Sequence, residues 1–422
     1  MIQTARQQYC KLHCSDYSSP VRQSFRAVAC SSKDTGRTAR RRDLIAGSLL
    51  QLVAVPSTAL AQSSPPQAPP TEAASVPPQP TSAEADYTKD GPYQVHRLPR
   101  LEHTCAKCFP ACTGSKCLLR LDIFYPKRRA PTDKGQPFPL AVFTGGFLVA
   151  ASSYVSYAQR LASWGWVTVL YDKAETALDN LDDILSVNMI SEIIDWAKSD
   201  PLLGRITNTD CAFLCGHSRG GKLSVLAAAR DERVKAVCLL DPVDNTVWAP
   251  LGPGYPSAVK ALQSFGEGRQ PVPLAVVGSG LGGDCVPSNA NFRYFYNACT
   301  GPSLQVALRD VGHFQFLDKQ DMMQRSVCAV GSASDAVVQH VSQAVVVAWG
   351  EAMCRQYIND SGSAKHGLDQ SIFSEALRRK IVRPLEMYAT NALQDDLNAK
   401  KGKKAKPKSD APIVDVTAKN FV

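Results

Sequence analysis

The sequence predicts an α/β fold with a mostly parallel central sheet and helices on both faces. Apolar runs of strand length alternate with longer stretches of helical spacing, the pattern typical of such a sheet. Of the 422 residues, 44% are hydrophobic and 20% are charged, a usual balance for a globular protein with a full core. A Gly-x-Ser-x-Gly motif also stands between a predicted strand and a predicted helix.

The net charge of +9 does not predict nucleic-acid binding. Most of the excess lysine and arginine lies in residues 1–61 and 399–422, and the chain between them is nearly neutral. Because a nucleic-acid-binding surface needs a basic patch on the folded body, we expect no nucleic-acid partner. No apolar run reaches the roughly 18 residues of a membrane-spanning helix, so we expect no transmembrane segment.

Residues 1–61 have the features of a two-part targeting signal. The first part is basic and rich in Ser, Thr and Gln, like a transit peptide. An arginine triplet at 40–42, an apolar stretch over 44–55 and a closing Ala-Leu-Ala at 59–61 follow, in the order of a twin-arginine export signal. A short buried helix with a basic flank is the alternative. We expect a chloroplast protein that reaches the thylakoid lumen or the thylakoid membrane surface.

Composition divides the rest of the chain into three regions. Residues 62–92 form a Pro-rich linker, which cannot build a core. Residues 93–357 form the folded domain, which begins with a Cys-rich segment over 105–117. Residues 358–422 form a C-terminal extension with a Lys-rich tail, which is either solvated and disordered or a tether to an anionic lipid surface.

Four of the fourteen cysteines form a C-x2-C-x3-C-x4-C cluster just before the first predicted strand. Three interpretations compete. Two local disulfides suit an oxidising compartment, four thiolates could converge on a structural zinc ion, and the thiols could be reduced. We favour the disulfides, and we expect no catalytic metal because the cluster lacks a surrounding set of His and carboxylate ligands. The four are Cys105, Cys108, Cys112 and Cys117.

The predicted strands and helices alternate along the folded domain. Residues 119–125 alternate as in a half-buried strand, and the later strand segments are short apolar runs between helical stretches. The predicted strands are 119–125, 139–143, 167–171, 212–214, 234–240, 272–277 and 304–308. Helical spacing predicts helices after Gly146 and over 184–197, 222–229 and 333–357.

The strand over 212–214 leads into Gly-His-Ser-Arg-Gly-Gly at 216–221, a nucleophile elbow in strand–turn–helix context. The turn is so sharp that side chains at 216 and 220 would strike the neighbouring strand and helix. Ser218 is therefore expected in a strained conformation, with its Oγ exposed at a helix N-terminus. In a parallel sheet such groups belong at the carboxyl ends of strands. We predict that Ser218 is the nucleophile of a serine hydrolase with the α/β-hydrolase fold.

A serine hydroxyl is a weak nucleophile unless a histidine can take its proton. Of the seven histidines, only His313 lies on a loop after the last predicted strand. The others lie in the targeting signal, in the elbow, before the core, and within or beyond the final helix. The place of His313 after Ser218 in the chain also fits the Ser, acid, His order of this fold. We predict that His313 is the general base.

Two aspartates could orient this histidine. Asp241 ends the strand over 234–240, and Asp284 follows the next strand, where most members of this fold place their acid. Either carboxylate could hold the imidazole tautomer and stabilise the imidazolium. Both residues also suit turns. Asp284 lies in a Gly-rich turn beside Cys285, which could pair with Cys299.

An oxyanion hole needs two backbone N–H groups aimed at the developing negative oxygen. Arg219, the residue after the nucleophile, should supply one. The other should come from the loop after the strand over 139–143, where a Gly-Gly pair lets the backbone approach closely, and we predict Phe147 as this donor. The Arg219 side chain is expected to form a structural ion pair.

Four segments around these residues resemble those of the chlorophyllases. They are Gly-His-Ser-Arg-Gly-Gly-Lys at 216–222, Leu-Asp-Pro-Val-Asp at 240–244, Val-Gly-Ser-Gly-Leu at 277–281 and Asp-Val-Gly-His at 310–313. The resemblance spans roughly residues 117–320. It implies a plastid α/β-hydrolase that cleaves the phytyl ester of chlorophyll to chlorophyllide and phytol, with no cofactor.

The resemblance also implies a triad of Ser218, Asp241 and His313, which favours Asp241 over Asp284. The chain departs from the family pattern in its Gly-Gly-Phe at 145–147, where a His-Gly-aromatic sequence is usual, and in the residues after His313. These departures suggest a divergent, algal member. We expect chlorophyll or a related pigment ester as substrate and the thylakoid surface as partner. The alternative is a plastid lipase, galactolipid acyl-hydrolase or general esterase of the same fold.

Overall fold

The computed structural model describes residues 86–109, 117–127, 137–173, 182–265, 270–359 and 414–419. These segments all belong to one compact unit, Ala74–Val422. The predicted targeting signal over 1–61, the Pro-rich residues up to 85 and the lysines between 400 and 408 lie outside the described residues. In the segments that are described, no helix is both long and apolar enough to cross a bilayer.

A single sheet organises the domain and contains ten strands within the described segments. Its strands run in the order β1-β3-β5-β4-β6-β7-β8-β9-β10, and β2 pairs with β3 beside this path. The strands are β1 (Val95–Arg97), β2 (Leu101–Thr104), β3 (Leu118–Pro126), β4 (Phe138–Thr144), β5 (Val167–Lys173), β6 (Thr207–His217), β7 (Val234–Leu240), β8 (Leu274–Ser279), β9 (Ser303–Leu308) and β10 (Val414–Lys419).

Six neighbouring strands in the middle of the sheet are all parallel. They are β5, β4, β6, β7, β8 and β9, in their order across the sheet. The strands at both edges, β1 to β3 on one side and β10 on the other, pair in the antiparallel sense. Parallel neighbours need crossovers, and helices supply them here. The predicted α/β fold with a mostly parallel centre is therefore confirmed, and the carboxyl ends of β4, β6, β7, β8 and β9 meet at one edge.

Helices cover both faces of the sheet. They are α1 (Val155–Ser163), α2 (Asp183–Ser199), α3 (Leu203–Ile206), α4 (Arg219–Ala228), α5 (Ala258–Ser264), α6 (Phe292–Ala298), α7 (Met322–Val327) and α8 (Asp335–Asn359). Among the described residues, short 3-10 helices cover Ala106–Cys108, Ala151–Tyr154 and His313–Phe316. Each predicted helix is present, with ends displaced by a few residues.

Two hydrophobic clusters lie on opposite faces, as the two-residue period of a strand dictates. Along β4, Ala141 and Phe143 join the cluster that includes α1 and α8. Their neighbours Leu140 and Val142 join the cluster of α2, α4, α5 and α6. A strand buried on both faces reads as a continuous apolar run, which is why the central strands were visible in the sequence.

The structure corrects both predicted limits of the folded domain. Tyr87, inside the predicted linker, is buried against the ring of Trp164 at 4.7 Å between centroids. The Trp164 Nε1–H also donates to the carbonyl of Lys89 at 3.0 Å. At the other end, β10 belongs to the predicted tail yet pairs with β9. Short polar segments such as these gain order from the surface they cover, which composition alone does not reveal.

Disulfide-bonded cysteines lie in two regions of the described chain, the Cys-rich segment and the loops after β8 and α7. The second region corrects the predicted partner of Cys285. Cys105 bonds to Cys108, and Cys117 is also disulfide-bonded, whereas Cys112 lies outside the described residues. Cys285 bonds to Cys328 and not to Cys299. The reason is position: the Cys299 thiol is buried in a helix-covered face of the sheet, whereas Cys285 lies in the turn after β8, within reach of the segment after α7.

Candidate active site

Ser218 occupies the sharp turn between β6 and α4. Its backbone has φ 57° and ψ −125°, a strained conformation for a residue with a side chain. A Cβ on Gly216 would lie 2.3 Å from the carbonyl oxygen of Gly220, and a Cβ on Gly220 would lie 2.1 Å from that of Thr144. Only glycine fits at these two positions. The predicted elbow is therefore present, with the expected reason for both glycines.

His313 begins the 3-10 helix that follows β9, and it faces Ser218 across the carboxyl edge of the sheet. Its Nε2 lies 2.9 Å from Ser218 Oγ, within hydrogen-bonding distance. Its Nδ1 lies 2.7 Å from Asp241 Oδ2. With Nδ1–H donating to the carboxylate, Nε2 is free to accept the serine proton. The His313 side chain is buried, and Ser218 is half-buried.

Asp241 is fully buried at the end of β7, with φ 41°. Its carboxylate accepts hydrogen bonds from the backbone N–H of Ser279 at 2.9 Å and from the Ser279 hydroxyl at 2.6 Å, in addition to the one from His313. Asp284, the alternative acid, is exposed in the turn after β8. The structure thus brings Asp241 to the histidine and leaves Asp284 at the surface.

Sequence reasoning did not assign a function to Ser279. Its position could have indicated a role, because Ser279 ends β8 at the carboxyl edge of the sheet, where the predicted catalytic residues lie. Two hydrogen bonds from one residue fix both oxygens of Asp241. These two bonds hold the carboxylate in its orientation independently of its contact with His313.

The loop after β4 lies directly beside the serine. A Cβ on Gly146 would be 3.2 Å from Ser218 Cβ. The Gly146 N–H donates to Tyr154 Oη at 3.1 Å, so the next residue, Phe147, is the one whose N–H remains a predicted oxyanion donor. Arg219 is the first residue of α4, where backbone N–H groups lack intrahelical acceptors. Arg219 thus directly follows the nucleophile in the chain, and Phe147 directly follows the glycine that lies against it.

The Arg219 side chain forms the structural ion pair that the sequence predicted. Its Nε lies 2.8 Å from Asp183 Oδ1, and Lys222 Nζ lies 2.8 Å from Asp183 Oδ2. All three side chains are largely buried. The Arg219 guanidinium also stands 6.0 Å from the centre of the Phe147 ring. This ion cluster ties α4, and with it the elbow, to the first turn of α2.

His217 and Tyr154 form a second buried polar group next to the triad, which the sequence did not single out. His217 Nδ1 lies 2.9 Å from Tyr154 Oη, and His217 Nε2 lies 3.0 Å from the carbonyl oxygen of His313. Burial, with the neighbouring His313 adding to it, lowers the pKa of His217 well below its usual value. Burial likewise raises the pKa of the Tyr154 hydroxyl. The imidazole is neutral and the phenol keeps its proton.

Within the described segments, no group of three or more His, Cys, Asp or Glu side chains is arranged to hold a metal ion. The hydrogen-bonded series of carboxylate, imidazole and hydroxyl can instead activate an oxygen nucleophile. A strained serine at a helix N-terminus, an adjacent base and a glycine loop suit acyl transfer.

Comparisons with known proteins agree with this chemistry. The family model described as Chlorophyllase matches residues 127–370, which is more than half of the chain. Chlorophyllase-2 from Arabidopsis thaliana is 29% identical over 263 residues, covering 56% of this chain and 78% of that protein. The matched region contains the elbow, the histidine loop and both candidate acids. The chain belongs to the chlorophyllase family, and it is a chlorophyllase-like ester hydrolase with an α/β fold.

Proposed function

We propose that this protein hydrolyses the phytyl ester of chlorophyll, or of a close pigment derivative, to chlorophyllide and phytol. The observation that carries the proposal is the series Ser218 Oγ, His313 and Asp241, joined at 2.9 and 2.7 Å at the carboxyl edge of the sheet. Family membership supports the choice of a pigment ester among the possible substrates. No cofactor takes part in the proposed reaction.

In the first half of the reaction, Ser218 Oγ attacks the ester carbonyl carbon while His313 Nε2 takes the hydroxyl proton. Asp241 stabilises the imidazolium that forms. The backbone N–H groups of Arg219 and Phe147 donate to the carbonyl oxygen as it becomes negative. The carbon–oxygen bond to phytol then breaks, and phytol leaves with the proton from His313, which leaves an acyl-enzyme.

In the second half, His313 takes a proton from water as the water oxygen attacks the acyl carbon. The bond to Ser218 breaks, and the proton returns to the serine oxygen. Chlorophyllide leaves as the free acid, which ionises in solution. The enzyme is then in its starting state, so one ester and one water are consumed in each cycle.

Exposed apolar side chains in the chain segments that follow three of the parallel strands support a long-chain substrate at a membrane surface. In the chain they come after β4, β7 and β9, three of the strands whose carboxyl ends lie on the same edge of the sheet as that of β6, which leads into Ser218. Trp248 is 61% exposed and Met322 is 87% exposed, far more than a side chain in a core. Such apolar exposure is typical of interaction sites. The set is Phe147, Leu148, Val247, Trp248, Leu251, Met322, Met323, Val327 and Val330.

We further propose that the mature chain begins near Gln62 and acts in the thylakoid lumen or at its membrane surface. The basic and apolar pattern of residues 1–61 supports this location. The disulfides at Cys105–Cys108 and Cys285–Cys328 support an oxidising compartment. Protease treatment of intact thylakoids tests the proposal. A mature protein that is digested without membrane rupture would exclude the lumen.

Product analysis with three substrates tests the activity. Purified protein is incubated with chlorophyll, with a galactolipid and with a short p-nitrophenyl ester. We expect chlorophyllide and phytol from the first, at a rate well above that of galactolipid cleavage. Faster release of fatty acid from the galactolipid would instead identify a lipid acyl-hydrolase. Ser218→Ala, which removes the proposed nucleophile at little cost in volume, is the control for all three reactions.

A further inference from the structure

We propose that Tyr154 and His217 form a hydrogen-bonded bridge that sets the distance between the oxyanion loop, residues 145–147, and the catalytic histidine loop, His313–Phe316. Both residues are then positioning residues for ester hydrolysis. The inference rests on the proposed serine-hydrolase site but not on the identity of its substrate.

The bridge consists of three consecutive hydrogen bonds. The Gly146 N–H donates to Tyr154 Oη at 3.1 Å. Tyr154 Oη and His217 Nδ1 are 2.9 Å apart, and His217 Nε2 and the His313 carbonyl oxygen are 3.0 Å apart. The series therefore begins on the loop after β4, crosses the residue before the nucleophile and ends on the backbone of the proposed base.

The direction of every bond in the bridge is determined by chemistry. A carbonyl oxygen only accepts, so His217 Nε2 must carry a proton. The pKa of this buried imidazole lies well below its usual value, so the ring is neutral and Nδ1 must accept. The Tyr154 hydroxyl therefore donates to Nδ1, and its oxygen accepts from the Gly146 N–H. For a neutral ring, no other arrangement of protons satisfies all three contacts.

The surroundings of the bridge hold it in place and exclude water. The side chain of Tyr154 is 1% exposed and that of His217 is fully buried. The Tyr154 ring packs on Phe143 at 4.7 Å between centroids, and the His217 ring packs on Phe316 at 6.0 Å and on His313 at 4.7 Å. A polar chain in such an environment has no water to replace a lost partner, so each of its members depends on the next.

The two ends of the bridge are the groups whose separation decides catalysis. Gly146 lies against Ser218 and directly precedes the predicted oxyanion donor Phe147. His313 carries the Nε2 that takes the serine proton. These loops follow different strands, β4 and β9, which are not neighbours in the sheet. The bridge is a direct link between them, and an ångström of misplacement in such a site can cost about 100-fold in rate.

Tyr154→Phe tests the bridge with a matched control, Tyr157→Phe. Both hydroxyls are buried, and that of Tyr157 donates to the carbonyl of Phe316 at 2.8 Å, on the histidine loop and not on the oxyanion loop. With a short p-nitrophenyl ester, we expect Tyr154→Phe to lower kcat by about 10- to 100-fold with KM within about twofold, since the transition-state donors are displaced. We expect Tyr157→Phe to lower kcat at most about threefold. Equal losses of kcat in the two variants, or a loss expressed in KM, would overturn the proposal.

Replacement of His217 gives a second, independent measurement. In His217→Gln the amide nitrogen can still donate to the His313 carbonyl, so we expect part of kcat to be retained relative to His217→Ala. The double variant Tyr154→Phe with His217→Ala should be no slower than His217→Ala alone, because both changes break the same chain. Fully additive losses would show that the two residues act separately.

A spectroscopic readout distinguishes failure of the bridge from failure of the proposed function. In wild type, nitrogen-15 NMR of the imidazole should show the Nε2–H tautomer of His217 throughout the range in which an ordinary histidine titrates. An Nδ1–H tautomer or a protonated ring in that range would refute the bridge. If no ester at all were cleaved while the Nε2–H tautomer was present, the proposed function would fail and the bridge would remain.

Discussion

At the scale of single residues, the site depends on groups whose partners come from distant parts of the chain. Asp241 reaches Ser279 and His313, and each of these residues is supplied by a different strand end. The carboxylate is fully buried, so a lost partner has no water to replace it. Substitutions at these positions therefore test function more sharply than substitutions of exposed neighbours.

Asp241→Asn should lower turnover by about 10⁴-fold, the loss measured for the equivalent change in the best-studied serine protease, because asparagine favours the wrong imidazole tautomer. Asp284→Asn, a matched change at an exposed carboxylate, should lower it at most about tenfold. Steady-state kinetics on a short p-nitrophenyl ester provide the comparison. The opposite ranking would show that the acid lies at the usual position of the fold.

Stability should depend on His217 as the pH falls. The native imidazole stays neutral because burial lowers its pKa, whereas the unfolded chain binds a proton near the usual pKa of 6.5. Unfolding therefore takes up a proton, and stability is lost as the pH falls below about 6.5, by up to about 1.4 kcal/mol per pH unit. Urea titrations of wild type and His217→Gln across this range should show a shallower slope for the variant.

His340 keeps its own contribution in both proteins, because burial and the charge of Arg160 also lower its pKa. The difference between the two slopes thus isolates His217. Identical slopes would mean that the His217 ring is protonated in the native state.

At the scale of helices and strands, the sequence predicted most of what positions the site. Continuous apolar runs in the sequence predicted β4 to β9, and the glycine spacing around Ser218 predicted the elbow. The structure shows why those glycines are required, because backbone atoms fill the space beside them. Asp241 was chosen over Asp284 only through a family resemblance, since local sequence does not show which strand end faces the histidine. The Tyr154–His217 bridge was not found for the same reason: its parts are 63 residues apart.

The ion cluster that joins α4 to α2 gives a prediction at this scale. Asp183→Asn should lower the free energy of unfolding by about 3 to 5 kcal/mol, because it removes the buried carboxylate that pairs with both the buried Lys222 and the largely buried Arg219. Lys222→Met should cost less, since Asp183 keeps Arg219. Urea unfolding of the two variants makes the comparison, and a larger loss for Lys222→Met would contradict the assigned roles.

At the scale of the whole molecule, the Cys285–Cys328 disulfide joins the loop after β8 to the segment after α7, 43 residues later. That segment packs on the histidine loop: a Cβ on Gly312 would lie 1.9 Å from the carbonyl oxygen of Ala329. Gln315 Oε1 also accepts from the N–H groups of Gly312 and Gly331, at 2.7 and 2.8 Å. The disulfide therefore holds in place the segment that packs on the loop of His313.

Removal of this disulfide by the double change Cys285→Ser and Cys328→Ser should lower the free energy of unfolding by about 2 to 4 kcal/mol. Cys105→Ser with Cys108→Ser is the matched control, because that bond closes a separation of only 3 residues and constrains the unfolded chain less. Chemical unfolding under non-reducing conditions measures both. A greater loss for the short link would show that chain entropy does not explain the stabilisation.

The edge strand β10 covers one edge of the sheet and so affects self-association of the protein. Val414 and Val416 pack on the core, and Asp415 pairs with Arg309 of the neighbouring segment at 2.7 Å across a sequence separation of 106. Until this strand is in place, β9 presents a row of unpaired N–H and C=O groups to solvent. Such an open edge is a template for strand exchange and aggregation. During synthesis, the interval between the appearance of β9 and that of β10 is thus a period in which the nascent chain carries an open sheet edge and is vulnerable to self-association.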